Sequence, residues 1–163
     1  MKKFSVLFLL SFLCLFLDST VMPFIGIYGY YPSITVCFII CYSIVNGSWE
    51  GLWVGVGCGL IQDIFFINIF GINSLANMII CVLAGIVGSN IFKEKSLIPV
   101  ISVFVLTMLR GAIVVGILFA AHIYADNMAI IYVAVYNMII SIFMYKWIYR
   151  LCQKEYMQVR WRF

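Results

Sequence analysis

Residues Gly51 to Asn77, GLWVGVGCGLIQDIFFINIFGINSLAN, decide the fold of this chain. Four residues of this stretch recur at every fourth position: Gly51, Gly55, Gly59 and Asp63. In a helix they share one slowly winding face, and glycines on such a face let a second backbone approach closely. The stripe ends at a carboxylate within an apolar segment, where a charge needs a partner or a cavity. We therefore expect the other helices to pack around this one and to neutralise Asp63.

The composition excludes a soluble globular domain. The chain has 163 residues, of which 66% are hydrophobic and 10% are charged, and its mean hydropathy is +1.15. A typical soluble domain is about 25% charged, and a membrane-spanning helix takes roughly 20 apolar residues. The sequence predicts one all-α integral membrane domain, residues 1–163, with six transmembrane helices in a compact bundle. The predicted spans are approximately 4–18, 24–45, 51–69, 74–92, 97–121 and 128–148.

The basic residues lie almost entirely at the ends of these spans. Nine of the ten Lys and Arg residues are placed on one side of the membrane by six spans: Lys2, Lys3, Lys93, Lys95, Lys146, Arg150, Lys154, Arg160 and Arg162. The positive-inside rule then predicts that both termini are cytoplasmic. Membrane topology accounts for the net charge of +4, so we expect no nucleic-acid partner. The basic tail is expected to meet either anionic lipid or a cytoplasmic protein.

Two charged residues fall inside predicted spans. Asp63 and Arg110 each lie roughly 18–20 Å from the cytoplasmic end of their span, at about 1.5 Å per residue. Since their depths match, we predict that they form an intramembrane ion pair, with Gln62 or Asn68 nearby. The pair is interpreted as a structural clamp, which a charge exchange should partly restore. Contact with a ligand or partner, and transport of an ion or proton, stay open as alternatives.

A second group of small residues follows the first stripe. Gly85 and Gly88 lie on the next predicted span, and with Gly51, Gly55 and Gly59 they are expected to form a stripe for helix packing or for docking a partner helix. The intervening turn carries a loop motif at Gly71, Asn73 and Ser74.

The sequence contains no catalytic constellation. The six cysteines show no CxxC spacing, and we find no metal-binding His/Glu motif, phosphate-binding loop or nucleophile elbow. We expect a protein that is not an enzyme and that has no metal site and no cofactor.

Three segments together resemble the signature of the MreD family. They are GLIQDIFF at residues 59–66, FGINSL at 70–75 and LAG at 83–85. The family pattern has a glycine-led GLxxD on one helix, a short loop that ends in Gly, an aliphatic residue and a small polar residue, and a glycine on the following helix. Length, hydropathy and the short basic tail are also similar over essentially the whole chain. In this resemblance Asp63 occupies the recurrent acidic position of the family, whereas Arg110 has no counterpart in the pattern.

The resemblance implies a rod shape-determining protein of the bacterial cytoplasmic membrane that crosses it several times. It implies a non-enzymatic scaffold of the cell-elongation complex, supporting sidewall peptidoglycan synthesis through direct contact with MreC. MreB, RodA and a class B penicillin-binding transpeptidase are the other implied members of the complex. Membrane lipid is a further expected partner, and a homodimer is left open.

The family is also similar in fold to the S-components of energy-coupling factor transporters. An alternative function is therefore a substrate-binding subunit of a transporter for a small molecule such as a vitamin. That function requires a polar-lined cavity, and the predicted outer loops are short and carry few polar groups.

Overall fold

Seven α-helices make up the part of the chain that a computed structural model describes, residues 2–26, 29–65, 70–90, 97–123 and 128–154. In chain order they are α1 (Lys2–Thr20), α2 (Met22–Ile25), α3 (Ile34–Asn46), α4 (Ser48–Phe65), α5 (Ile72–Asn90), α6 (Leu97–Ala120) and α7 (Met128–Cys152). The predicted all-α class is confirmed over these ranges.

The predicted span over residues 24–45 is broken in the structure. α2 has only four residues and ends at Gly26, whose ψ of 137° is extended, and α3 begins at Ile34 after Pro32. Ser33 caps α3, because its side chain accepts a hydrogen bond from the backbone N–H of Val36. The other predicted spans match helices to within a few residues. Positions 66–69, with Asn68, and positions 91–92 lie outside the described residues.

Three of the described helices are long and apolar enough to cross a membrane, namely α5, α6 and α7. Two shorter apolar helices, Ser5–Thr20 within α1 and Ile34–Asn46, accompany them. At about 1.5 Å per residue the 13 residues of α3 cover roughly 20 Å, less than the hydrocarbon core of roughly 30 Å. The count of six spans and the cytoplasmic position of both termini stay predictions. Lys93, Lys95, Arg160 and Arg162 lie outside the described residues.

The centre of the bundle is α3. Every residue from Thr35 to Ile44 is buried, and α3 packs against α1, α4, α5, α6 and α7. An apolar helix can lie in a protein core or face lipid, and it is the contacts with five other helices that place α3 in the core. The glycine-rich α4, which we expected at the centre, instead packs mainly against α5 at the side of α3.

Polar contacts at one end of the bundle show that α1 and α4 run antiparallel to α3 and α7. Lys3 at the start of α1 donates to both carboxylate oxygens of Glu50 at the start of α4, at 2.6 and 2.7 Å. The hydroxyl of Tyr42, near the end of α3, donates to the same carboxylate at 2.7 Å. Asn46 Nδ2, also at the end of α3, lies 3.1 Å from Cys152 Sγ, at the end of α7. The starts of α1 and α4 therefore meet the ends of α3 and α7.

The glycines of α4 lie where this helix contacts its neighbours. A Cβ atom on Gly59 would collide with the backbone of Ser74 on α5. One on Gly55 would lie 2.7 Å from Cys81 Sγ of α5, whereas one on Gly51 would collide first with the Ser43 side chain of α3. Gly55 and Gly59 therefore let α5 approach closely, and Gly51 makes room mainly for α3.

The two glycines of α5 serve the same kind of contact from the other side. A Cβ on Gly85 would collide with the backbone of Ser48, and one on Gly88 with the backbone of Ile44. All five glycines of the predicted stripe are buried. This burial supports helix packing inside the bundle as their role, in preference to docking of a partner.

Two substitutions on the same helix test this packing. Gly59→Ala places a methyl group against the α5 backbone, and overpacking of this kind costs about 1–3 kcal/mol. Gly57→Ala is the matched control, since no heavy atom lies within 4 Å of a Cβ built there. We expect Gly59→Ala to lower the melting temperature in detergent, measured by scanning fluorimetry, and Gly57→Ala to leave it unchanged or slightly higher. Equal melting temperatures for the two variants would contradict the assigned helix contact.

Candidate functional site

The Asp63 carboxylate caps the beginning of α5. Gly71 makes the preceding turn with a φ of 99°, and the backbone N–H groups of Asn73 and Ser74 then donate to the two carboxylate oxygens at 3.0 Å each. The first N–H groups of a helix have no partner within the helix, and they form its positive end. Asp63, only 1% exposed, satisfies two of them and is stabilised by that positive end. The loop motif acts here through backbone donors.

The Arg110 guanidinium binds two asparagine side chains of α5. Its Nε donates to Asn77 Oδ1 at 2.7 Å, and its Nη2 donates to Asn73 Oδ1 at 2.8 Å. Asn73 therefore connects the two charged residues, because its backbone N–H binds Asp63 while its side chain binds Arg110. Within the described residues Asp63 and Arg110 form no direct ion pair, and the predicted pairing is indirect.

The position of Asp63 beside the first turn of α5 explains why the contact is indirect. Asp63 is the third residue from the end of α4, since that helix begins at Ser48 and ends at Phe65, whereas Arg110 lies near the middle of α6. The nearest donors to the carboxylate are then the first N–H groups of α5, which have no partner within that helix. A charge at mid-membrane costs at least ~2.5–3.5 kcal/mol when unpaired, and the amide oxygens of Asn73 and Asn77 lower this cost for Arg110.

A further hydrogen bond extends this network to α4. Asn77 Nδ2 donates to Gln62 Oε1 at 2.9 Å, and Asn77 itself is fully buried. The prediction of Gln62 near the buried charges agrees with this contact. Gln62, Asn77 and Arg110 thus link α4, α5 and α6 through side chains alone.

Asp18 repeats at the end of α1 what Asp63 does at the end of α4. Its carboxylate accepts from the backbone N–H groups of Ile34 at 2.6 Å and Thr35 at 3.0 Å, and from the Ser33 hydroxyl at 2.9 Å. Asp18 is 6% exposed, so this cap on α3 is also buried. α3 and α5 therefore both begin inside the bundle on a carboxylate from an earlier helix, α3 on one from α1 and α5 on one from α4.

These groups form a polar layer across the bundle, which we define as Asp18, Ser33, Asp63, Asn73, Asn77, Arg110 and Asn137. Asn137 of α7 belongs to it because its Oδ1 accepts from the Ser33 backbone N–H at 2.9 Å. α1 and α4 end at this layer, and α3 and α5 begin there. α6 continues for ten residues beyond Arg110, about 15 Å, and α7 begins nine residues before Asn137. Both long helices therefore extend well past the polar layer.

A crevice of about 260 Å³ lies beside the polar layer, between α3, α6 and α7. Its lining is polar at one end and apolar along its walls: Ser33, Val36, Thr107, Arg110, Gly111, Val114, Val115, Leu118, Ala129, Ile130, Val133 and Asn137. Two buried side-chain atoms of this lining, Thr107 Oγ1 and Asn137 Nδ2, have no hydrogen-bond partner. Buried polar groups are nearly always satisfied, so this amide donor and this hydroxyl are unusual.

The groups of the site interact through hydrogen bonds and charge. Within the described ranges no three His, Cys, Asp or Glu side chains gather as metal ligands would. The six cysteines are all buried and free. The arrangement can hold helices together and can offer donors to an acceptor group in the crevice.

Sequence reasoning found part of this site. It identified Asp63, Arg110 and the Gly71, Asn73 and Ser74 motif, which the structure brings together. It missed Asp18, Asn77 and Asn137. Their signal was the presence of an amide or carboxylate in each of three apolar segments, where a polar group has to find a buried partner.

One comparison with known proteins identifies a family for the chain. The family described as rod shape-determining protein MreD matches residues 1–155. No curated protein and no solved structure matches the chain.

Removal of the Asn73 side chain tests the connection between α5 and α6. Asn73→Ala keeps the backbone hydrogen bond from residue 73 to Asp63 but removes one of the two acceptors of Arg110. The loss of this acceptor is expected to lower the free energy of unfolding by about 1–3 kcal/mol. Asn90→Ala is the control, because Asn90 is exposed at the end of the same helix. We expect a lower melting temperature in detergent for Asn73→Ala alone. An unchanged value would show that Arg110 does not depend on this acceptor.

A charge exchange separates helix capping from a direct ion pair. In the double variant Asp63→Arg/Arg110→Asp, a guanidinium replaces the carboxylate at the start of α5, and it has no acceptor for the N–H groups there. We therefore expect the double variant to be no more stable than either single variant. If Asp63 and Arg110 instead stabilised each other by direct contact, the exchange would raise the melting temperature above that of both single variants.

Proposed function

This chain belongs to the MreD family of rod shape-determining proteins, and we propose that it is a non-enzymatic membrane scaffold of the bacterial cell-elongation complex. The match over residues 1–155 of 163 carries this proposal. In the proposed role the protein supports cell shape and sidewall peptidoglycan synthesis through MreC. It resides in the cytoplasmic membrane with both termini in the cytoplasm.

The hydrogen bonds of the described residues support a scaffold. Asp18 and Asp63 accept hydrogen bonds from the starts of α3 and α5, and Lys3 forms an ion pair with Glu50. These charged groups fix helices relative to one another, which is what a platform for other proteins requires. We propose that the same contacts keep the outer faces of the bundle in the arrangement that partners recognise.

The partner surface in this proposal lies on the long helices and not on the glycine stripe, since those glycines are buried. α6 exposes an apolar face that includes Ile101, Val105 and Leu109. Such a face suits lipid or a transmembrane helix of MreC. MreB, RodA and a class B penicillin-binding transpeptidase are proposed as further members of the same complex, and a second copy of the chain stays an alternative occupant of this face.

Depletion in the native host tests this function. We expect rod cells to round up and new wall synthesis to lose its position, as followed by microscopy and by labelling of new peptidoglycan. The wild-type gene and the Gly57→Ala variant should restore the rod, whereas Asp63→Ala, which removes the cap on α5, should restore it poorly. MreC should copurify with the wild-type protein.

One result of this depletion would contradict the scaffold. Normal cell shape together with a growth defect relieved by a single nutrient would point to the transporter subunit that the fold similarity implies. Quantification of the protein in the membrane, by immunoblot, separates loss of function from loss of the protein.

A further inference from the structure

The crevice between α3, α6 and α7 combines three observations that the scaffold function leaves unexplained. Arg110 lines it with a guanidinium that uses two of its five N–H donors on α5. Thr107 Oγ1 and Asn137 Nδ2 also line it, and both are buried without a partner. The residues that carry these two atoms are 4% and 0% exposed. Each unfilled polar group of the crevice can therefore donate a hydrogen bond, and the guanidinium and the Asn137 Nδ2 group can only donate.

The carboxylates of the polar layer do not accept hydrogen bonds from these groups. Asp63 and Asp18 both attract the guanidinium through space. Each of them, however, already accepts at both oxygens from the start of a helix, and the positive end of that helix offsets part of its charge. A group that accepts several hydrogen bonds and carries negative charge is what would complete the crevice.

The walls of the crevice add a second requirement. Away from Arg110 the lining is aliphatic, from Val114, Val115 and Leu118 on α6 and from Ile130 and Val133 on α7. A transmembrane helix with its side chains is about 10–12 Å across, which is too wide for a volume of about 260 Å³. A compact headgroup joined to an alkyl chain fits both the size and the two kinds of lining.

We propose that this crevice binds the phosphodiester headgroup of an anionic membrane amphiphile. Arg110, Asn137 Nδ2 and Thr107 Oγ1 donate to the phosphate oxygens, and the aliphatic walls of α6 and α7 hold the adjoining chain. Lipid binding in the crevice is independent of the scaffold function, because it is inferred from polar groups that lack a hydrogen-bond partner.

Native mass spectrometry on the full chain in detergent tests the site. The probes are dioleoylphosphatidylglycerol, dioleoylglycerol with the same chains and no phosphate, and inorganic phosphate. We expect the phospholipid alone to be retained and to raise the melting temperature. Arg110→Gln should weaken its retention about tenfold, since it removes a charge-assisted hydrogen bond. Ser102→Ala is the matched control and should bind as the wild type, because Ser102 lies on the same helix as Arg110 but not in the crevice lining, and its hydroxyl donates to the Ile98 carbonyl of α6.

A second variant keeps the proposal testable if Arg110→Gln does not fold. Thr107→Val removes a buried hydroxyl that has no partner, so the protein without lipid should become more stable while phospholipid binding becomes weaker. These opposite directions distinguish a ligand donor from a structural residue, which would lose stability on replacement.

Three outcomes would overturn the proposal. Equal retention of phospholipid by Arg110→Gln or Thr107→Val and by wild type would remove the crevice as the site. Equal binding of dioleoylglycerol would show that the phosphate is not recognised. A shift in melting temperature produced equally by inorganic phosphate would leave an oxyanion site and exclude the amphiphile.

Discussion

The backbone N–H groups at the starts of α3 and α5 are the constraint on which this bundle depends. Both helices begin inside the protein, beside carboxylates that are nearly fully buried, and each unsatisfied group in an apolar environment costs several kcal/mol. Asp18 and Asp63 satisfy these donors in the same way, Asp18 from the last turn of α1 and Asp63 from the last turn of α4. Since the carboxylate and the N–H groups of the helix start stabilise each other, the free-energy cost of burying either one is small once they are in contact.

Capping at this depth explains the unequal lengths of the helices. α3 has 13 residues and α4 has 18, whereas α6 and α7 have 24 and 25. The long helices pass the polar layer with fewer neighbours, and the space between them and the start of α3 is the crevice. The crevice is therefore a consequence of where the short helices stop, and its polar end is the edge of the layer that caps them.

Sequence patterns predicted the all-α class, most helix boundaries and the close packing at the glycines. These features depend on hydrophobic periodicity and residue size, which involve only one helix or one pair of helices. The patterns failed for the segment from residue 24 to 33, where Gly26 and Pro32 break an apolar run that reads as one span. They also gave Asp63 the wrong kind of partner. Counting residues from the end of each span compares only the depths of side chains in different helices. The donors to Asp63 are backbone N–H groups of α5, and they reach the carboxylate only because the turn at Gly71 brings the start of α5 beside it.

Arg110 shows why a buried charge is retained in such a bundle. An apolar residue at this position would spare the cost of burying a cation, but it would leave the Oδ1 atoms of Asn73 and Asn77 without their donor. Those two residues are themselves tied to α4, because the Asn73 backbone N–H donates to Asp63 and the Asn77 side chain donates to Gln62. The guanidinium can satisfy two acceptors on one helix and still direct its remaining donors elsewhere, because its N–H groups form a planar fork. A lysine, with a single compact ammonium group, would not span both asparagines with the same geometry. The charge therefore joins the α4–α5 pair to α6, while its remaining donors are directed away from that pair.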